Sequence, residues 1–128
     1  MRFLLNPRLI RLARLAFWVA TVFAVTMAVL PKPPETPIDR FGDKFAHILA
    51  FSVLAALATV AWGREARWKI VERLCFLGAA IEVVQTIPAL HRDADVRDWI
   101  ADSLAVLVVV VIAGLAVPPR VPKAHPLG

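Results

Sequence analysis

Residues 99–117 read WIADSLAVLVVVVIAGLAV, a run of nineteen residues in which Asp102 is the one ionisable side chain. A helix that spans a membrane needs about 17–25 consecutive, mostly apolar residues, each adding a rise of about 1.5 Å. Comparable apolar runs occupy residues 15–30, 45–62 and 74–90. The pattern predicts one all-α domain over residues 1–128, an integral membrane bundle of four transmembrane helices at about 12–30, 44–62, 70–90 and 98–117.

The composition of the whole chain agrees with this class. Hydrophobic residues make up 59% of the sequence and charged residues 20%, and the mean hydropathy is +0.69. A soluble all-helical protein is disfavoured, because its helices would carry one-sided apolar stripes rather than continuous apolar runs. The first run follows a basic segment, so a cleavable signal peptide is an alternative for it, although no clear cleavage site follows Leu30.

Lysine and arginine placement predicts the orientation. Ten of these residues fall in the N-terminal segment, the loop between the second and third runs, and the C-terminal tail, whereas five fall in the other two loops. Because cytoplasmic loops carry the excess of Lys and Arg, we expect both termini to be cytoplasmic, N-in/C-in. The same cations flank spanning helices, so the net charge of +5 does not indicate a nucleic-acid partner.

Polar side chains interrupt the apolar runs at one-turn helical spacing. They are Asp43, Lys44 and His47 in the second helix, Glu82 and Gln85 in the third, Arg92 in the loop that follows, and Asp98 and Asp102 in the fourth. A charge near the bilayer centre costs roughly 2.5–3.5 kcal/mol, so such residues usually face a bundle interior. In the predicted topology all of them lie in the outer half of the membrane. We therefore expect them to converge on one ligand-binding site.

Structural roles compete with that interpretation at each position. Asp43 and Asp98 stand where helices begin and are expected to cap them. Lys44 is long enough to reach the membrane surface. We expect Glu82 to be the neighbour of His47, because each reduces the cost of burying the other.

The motifs carry a resemblance to a known family. Asp43-Lys44-x-x-His47, Glu82-x-x-Gln85 and an arginine, Arg92, six residues before Asp98 are similar to the pattern of the VanZ-like family of small bacterial integral membrane proteins. The resemblance covers residues 43–105, about half of the chain. It departs from the family at Asp102, where asparagine is usual, and at Ala105, where glycine is common.

The resemblance implies a multi-pass protein of the bacterial cell (inner) membrane, in a family named for resistance to the glycopeptide antibiotic teicoplanin. We expect a non-enzymatic cell-envelope protein whose outer-leaflet polar cluster binds an anionic or amphiphilic ligand. Membrane lipid, a lipid-linked cell-wall precursor and a glycopeptide are the partners considered. Lys44 and Arg92 are the expected anion contacts, and no catalytic residue, metal ion or cofactor is predicted.

A membrane-embedded enzyme is the alternative. His47, Glu82, Asp98 and Asp102 are residue types that supply a general base or metal ligands for chemistry on a lipid or a lipid-linked phosphate. The sequence contains no H-E-x-x-H motif, no phosphate-binding glycine loop and no serine elbow to support this. A transporter is disfavoured by the lack of a detectable internal repeat.

Overall fold

The computed structural model describes residues 6–31, 37 and 39–116, apart from the side chains of Asp39, Asp43 and Glu65. All secondary structure in this part of the chain is helical. Four α-helices follow one another, α1 (Pro7–Val29), α2 (Asp43–Trp62), α3 (Arg67–Gln85) and α4 (Val96–Ala116), with short 3-10 turns at Asp39–Phe41, Arg64–Ala66 and Pro88–Leu90. The predicted all-α class and the four helices are confirmed.

Local sequence sets the helix boundaries, and two of them differ from the prediction by five residues. α1 begins at Pro7 rather than near residue 12, because Asn6 caps it by accepting a hydrogen bond from the Arg8 N–H at 2.9 Å and a proline suits the first helical position. α3 ends at Gln85 rather than near residue 90, because Pro88 opens a separate 3-10 turn. His91 then adopts a left-handed conformation, with φ at 49°.

Three of the four helices are long and apolar enough to cross a membrane. They are α1, the Lys44–Trp62 part of α2, and α4, with mean hydropathies of 1.9, 2.0 and 2.4. Their outward faces carry large apolar side chains such as Val22, Phe23 and Leu115, as expected of a membrane protein. α3 does not meet this criterion, because five of its nineteen residues are charged. The predicted fourth span is therefore not confirmed by hydropathy.

α2 lies at the centre of the bundle and contacts the other three helices. Its inner face is built largely from small residues, including Ala55, Ala58 and Ala61, each at most 2% exposed. Small residues let helix backbones approach closely where lipid offers no hydrophobic driving force. The most extensive packing is between α2 and α4, which run in the same direction.

α4 is joined to α3 by Trp99. Its indole N–H donates a hydrogen bond to the carbonyl of Cys75 at 2.9 Å. The ring lies over Gly78, where an added Cβ would stand 3.1 Å from Trp99 Cδ1. The missing side chain at Gly78 is what lets this ring rest on α3.

Candidate functional site

Two charge pairs connect the first two turns of α2 with those of α4. Lys44 Nζ lies 3.7 Å from Asp98 Oδ1, and His47 Nδ1 lies 3.3 Å from Asp102 Oδ2. The two helices run in parallel, so residues one turn apart on α2 meet residues one turn apart on α4. We call these four side chains the α2–α4 ladder.

The α2–α4 ladder begins with the solvent-exposed Lys44 and ends with the buried Asp102. The Lys44 side chain is 53% exposed and that of Asp98 17%, whereas that of Asp102 is 3% exposed. Asp102 Oδ1 and Ser103 Oγ are buried and have no hydrogen-bond partner in the part of the chain that the structure describes. Asp102 is therefore buried beside a partly exposed His47, and the outer pair leaves an accessible ammonium group.

His47 and Glu82, expected to be neighbours, lie close enough to interact electrostatically, but no direct hydrogen bond or ion pair joins them in the described structure. His47 pairs with Asp102, and Glu82 Oε2 instead accepts a hydrogen bond from the backbone N–H of Asp95 at 3.0 Å. The reason is the close parallel packing of α2 and α4, which puts Asp102 on the α4 face turned toward His47. Glu82 holds the loop that leads into α4.

Gln85 and Arg92 bind the end of α1. Gln85 Nε2 donates to the carbonyl of Ala28 at 3.0 Å. Arg92 Nε donates to the same carbonyl at 3.1 Å, and Arg92 Nη2 donates to the carbonyl of Met27 at 2.7 Å. The last carbonyls of a helix have no partner within it and attract cations. Both residues thus have a structural role, and their contact with a ligand stays a prediction.

The expected cap at Asp98 is also wrong. Asp95 precedes the first residue of α4, and its Oδ1 accepts a hydrogen bond from the Arg97 N–H at 2.9 Å. An aspartate in that position is a common N-cap, so the sequence did carry the signal. Asp98 lies inside the first turn and pairs with Lys44. Asp43, also expected to be a cap, is the first residue of α2, the N-cap position is taken by Gly42, and the Asp43 side chain lies outside the described part of the structure.

The predicted residues nevertheless converge at one end of the bundle. α1 and α3 end there, and α2 and α4 begin there. We call this the polar end; it contains the α2–α4 ladder together with Glu82, Gln85 and Arg92. Asp95, Trp99 and Ser103 belong to the same region and were not among the predicted site residues. Within the described residues, no three His, Cys, Asp or Glu side chains are grouped to hold a metal ion.

Comparisons with known proteins assign no family, since no protein-family model, curated protein or solved structure matches the chain. The likeness to VanZ-like proteins rests on the spacing of the polar motifs.

Proposed function

We propose that this chain is a multi-pass cell-envelope protein of the VanZ-like kind, located in the bacterial cell membrane, whose polar end binds the anionic part of an amphiphilic ligand without catalysing a reaction. In this proposal four helices span the membrane and both termini are cytoplasmic. Membrane lipid, a lipid-linked cell-wall precursor and a glycopeptide share the required chemistry. Altered susceptibility to teicoplanin is the phenotype to examine.

The parallel arrangement of α2 and α4 supports a fourth span. Both helices are apolar enough to cross a membrane and begin at the same end of the bundle. The chain between them must then return across the membrane, and α3, with 19 residues, is the one α-helix there. At about 1.5 Å per residue α3 is about 28 Å long, close to the hydrocarbon thickness of a bilayer. Four of its charged residues fall in its first seven positions, near the proposed cytoplasmic surface.

Lys44 is the single observation that carries the binding proposal. Its ammonium group has three donors, and the contact with Asp98 at 3.7 Å is long for a hydrogen bond. The side chain is about half exposed, whereas those of His47 and Asp102 beneath it are 18% and 3% exposed. An anionic group at this end can therefore bind Lys44 without breaking the inner pair.

Binding of lysolipids to the purified protein in detergent tests this proposal. Lysophosphatidylglycerol should bind more tightly than lysophosphatidylcholine of the same chain length. Lys44→Gln should weaken anionic binding about tenfold, because a charge-assisted hydrogen bond contributes about 1.5–3 kcal/mol. Lys69→Gln removes the same charge from the exposed start of α3 and is the matched control. Equal binding of the two lipids, or equal effects of the two variants, would refute the proposal.

Reporter fusions test the proposed topology separately. Fusions after Leu30 and Pro88 should report the outside, and a fusion at Arg67 should report the cytoplasm. A fusion at Arg67 that reports the outside would contradict the orientation, and fusions at Arg67 and Pro88 that report the same side would contradict the fourth span.

The geometry of the His47–Asp102 pair is the observation that favours the enzyme alternative. A histidine held by a carboxylate through Nδ1 is oriented to act as a base through its other ring nitrogen. Phosphate release from a polyprenyl diphosphate by the purified protein, lost in His47→Gln, would favour this alternative. Release that is equal to the protein-free rate would exclude it for that substrate.

A further inference from the structure

The ring of His47 lies among three carboxylates. Asp102 contacts it directly, with Oδ2 3.3 Å from His47 Nδ1. Asp98, one turn above Asp102 on α4, and Glu82, on α3, lie close enough to interact with the ring electrostatically. The His47 side chain is 18% exposed, so water screens these charges only in part. The charge state of His47 therefore affects carboxylates on both neighbouring helices.

Asp102 depends on His47 for a countercharge. Its side chain is 3% exposed, and its Oδ1 has no hydrogen-bond partner among the described residues. A buried charge is costly unless an opposite charge pairs with it. The protonated ring of His47 supplies that charge, whereas the neutral ring supplies only a hydrogen bond. Loss of one proton from His47 therefore leaves a buried carboxylate without a countercharge.

The charge balance of this group of side chains changes with the same proton. Apart from His47, the one described cation that forms an ion pair with these carboxylates is Lys44, one turn above His47 on α2. When His47 is protonated, the three carboxylates and two cations sum to one negative charge. When His47 is neutral, the sum is two negative charges.

The other ionisable groups at the polar end do not make this balance positive. α1 has no ionisable side chain in residues 15–29, and the ring of His91 is exposed. The remaining groups comprise three cations and four carboxylates, which are Asp39, Arg40, Asp43, Arg92, Asp93, Asp95 and Arg97. An anion that approaches Lys44 therefore meets a negative surface, and the proton on His47 decides how negative it is.

We propose, on the basis of the proposed function, that the proton on His47 controls the binding of an anion at Lys44. The two residues are separated by about 4.5 Å of helix rise. When His47 is protonated, it neutralises Asp102, and Lys44 is shared between Asp98 and the ligand. When His47 is neutral, the uncompensated charge of Asp102 attracts the Lys44 ammonium group and repels the anion. The polar end therefore binds its ligand at acidic pH and releases it as the pH rises.

Binding of lysophosphatidylglycerol in a pH series tests this inference. The full-length protein is used in a neutral detergent, and the phosphodiester of the probe keeps one negative charge throughout. Histidine changes its charge between about pH 5 and about pH 8, so the affinity should fall over this range. A fall of about fivefold is expected from one charge at roughly 8 Å that is partly screened by water. The fall should occur at the pH at which the His47 ring loses its proton, followed by nuclear magnetic resonance of isotope-labelled histidine.

Three variants identify the group that titrates. His47→Gln should bind the probe with one affinity throughout the series, the affinity that the native protein has at high pH. His91→Asn is the matched control and should keep the native pH dependence, because His91 is exposed and asparagine tolerates its left-handed conformation. Glu82→Gln should also keep the pH dependence, and its loss there would mean that a carboxylate titrates instead. If His47→Gln fails to fold, a binding change that does not coincide with titration of the native His47 ring refutes the inference.

The outcomes separate this inference from the proposed function. If binding depends on Lys44 but its affinity is the same at every pH, or if His47→Gln keeps the native pH dependence, control by His47 is refuted and the binding proposal stands. If lysophosphatidylglycerol binds no more tightly than lysophosphatidylcholine even at acidic pH, and Lys44→Gln has no effect, both are refuted.

Discussion

The two ends of the bundle are built in different ways. At the polar end, ion pairs and hydrogen bonds join the helices, with a buried carboxylate, Asp102, at the centre. The opposite end, which we call the aromatic end, joins α1 to α2 through the rings of Phe17, Trp18 and Trp62. Their centroids are 5.0–6.3 Å apart in edge-to-face arrangements. This geometry is favourable for aromatic pairs and needs no buried charge.

An arginine that donates to backbone carbonyls at the end of a helix occurs at both ends of the bundle. Arg92 binds the final carbonyls of α1 at the polar end, and Arg14 at the aromatic end donates to the carbonyl of Ala61, near the end of α2, at 3.3 Å. The guanidinium of Arg14 also lies 5.9 Å from the centroid of the Trp62 ring. An arginine at a helix end is thus a general structural feature of this molecule. What distinguishes the polar end is the α2–α4 ladder, and that is why we propose ligand binding there.

The largest expected effect follows removal of the buried carboxylate. Asp102→Ala should lower the free energy of unfolding by about 1–3 kcal/mol, because the His47 ring then loses its partner in a largely buried position. Thermal or detergent-induced unfolding of the purified protein measures this. In a double-mutant cycle, His47→Ala should cost much less in the Asp102→Ala background than in the native one. Strict additivity would show that the pair is not energetically coupled.

Arg92→Lys should have the next largest effect, a loss of about 1 kcal/mol. A lysine ammonium does not reproduce the two-point contact of the planar guanidinium with the carbonyls of Met27 and Ala28. Arg14→Lys is the matched control at the aromatic end, where one long hydrogen bond and a cation–π contact that a lysine can also make are at stake, and should be nearly neutral. The unfolding midpoints of the two variants measure these losses of stability. Equal losses would mean that the two ends depend on their arginines to the same extent.

A third comparison contrasts two aspartates of the polar end. Asp95→Ala removes the N-cap of α4 and should cost about 0.5–2 kcal/mol. Asp98→Ala breaks an ion pair with a half-exposed lysine, which contributes about 0–1 kcal/mol. The same unfolding assay measures which of the two variants loses more stability. If Asp98→Ala proved the more damaging, the outer pair of the ladder would be a stability element rather than the open part of the site.

The smallest effect is expected at the aromatic end. Trp18 is 57% exposed, so Trp18→Leu should change stability by no more than about 0.5 kcal/mol. The preference for anionic over zwitterionic lysolipid should be unaffected. A lost preference in this variant would mean that ligand binding is not confined to the polar end.

Local sequence features determined much of the fold. Continuous apolar runs predicted the four helices, because a long apolar stretch needs both backbone hydrogen bonding and shielding from water. Helix boundaries follow residues such as Asn6, Asp95 and Pro88, whose effects act over a few neighbours. The one-turn spacing of the charged residues also indicated that each motif presents one face of a helix.

Only the tertiary structure decided which of these faces meet. The pairing of Asp102 with His47, 55 residues away, depends on α2 and α4 packing in parallel. The contacts of Gln85 and Arg92 with α1 join residues 57 to 65 positions apart and end on backbone carbonyls, which every residue has. Periodicity along one helix gives the direction of a side chain and contains no information on the neighbouring helix. That neighbour is chosen by the packing of small residues such as those of α2, and by the requirement that buried polar groups find partners.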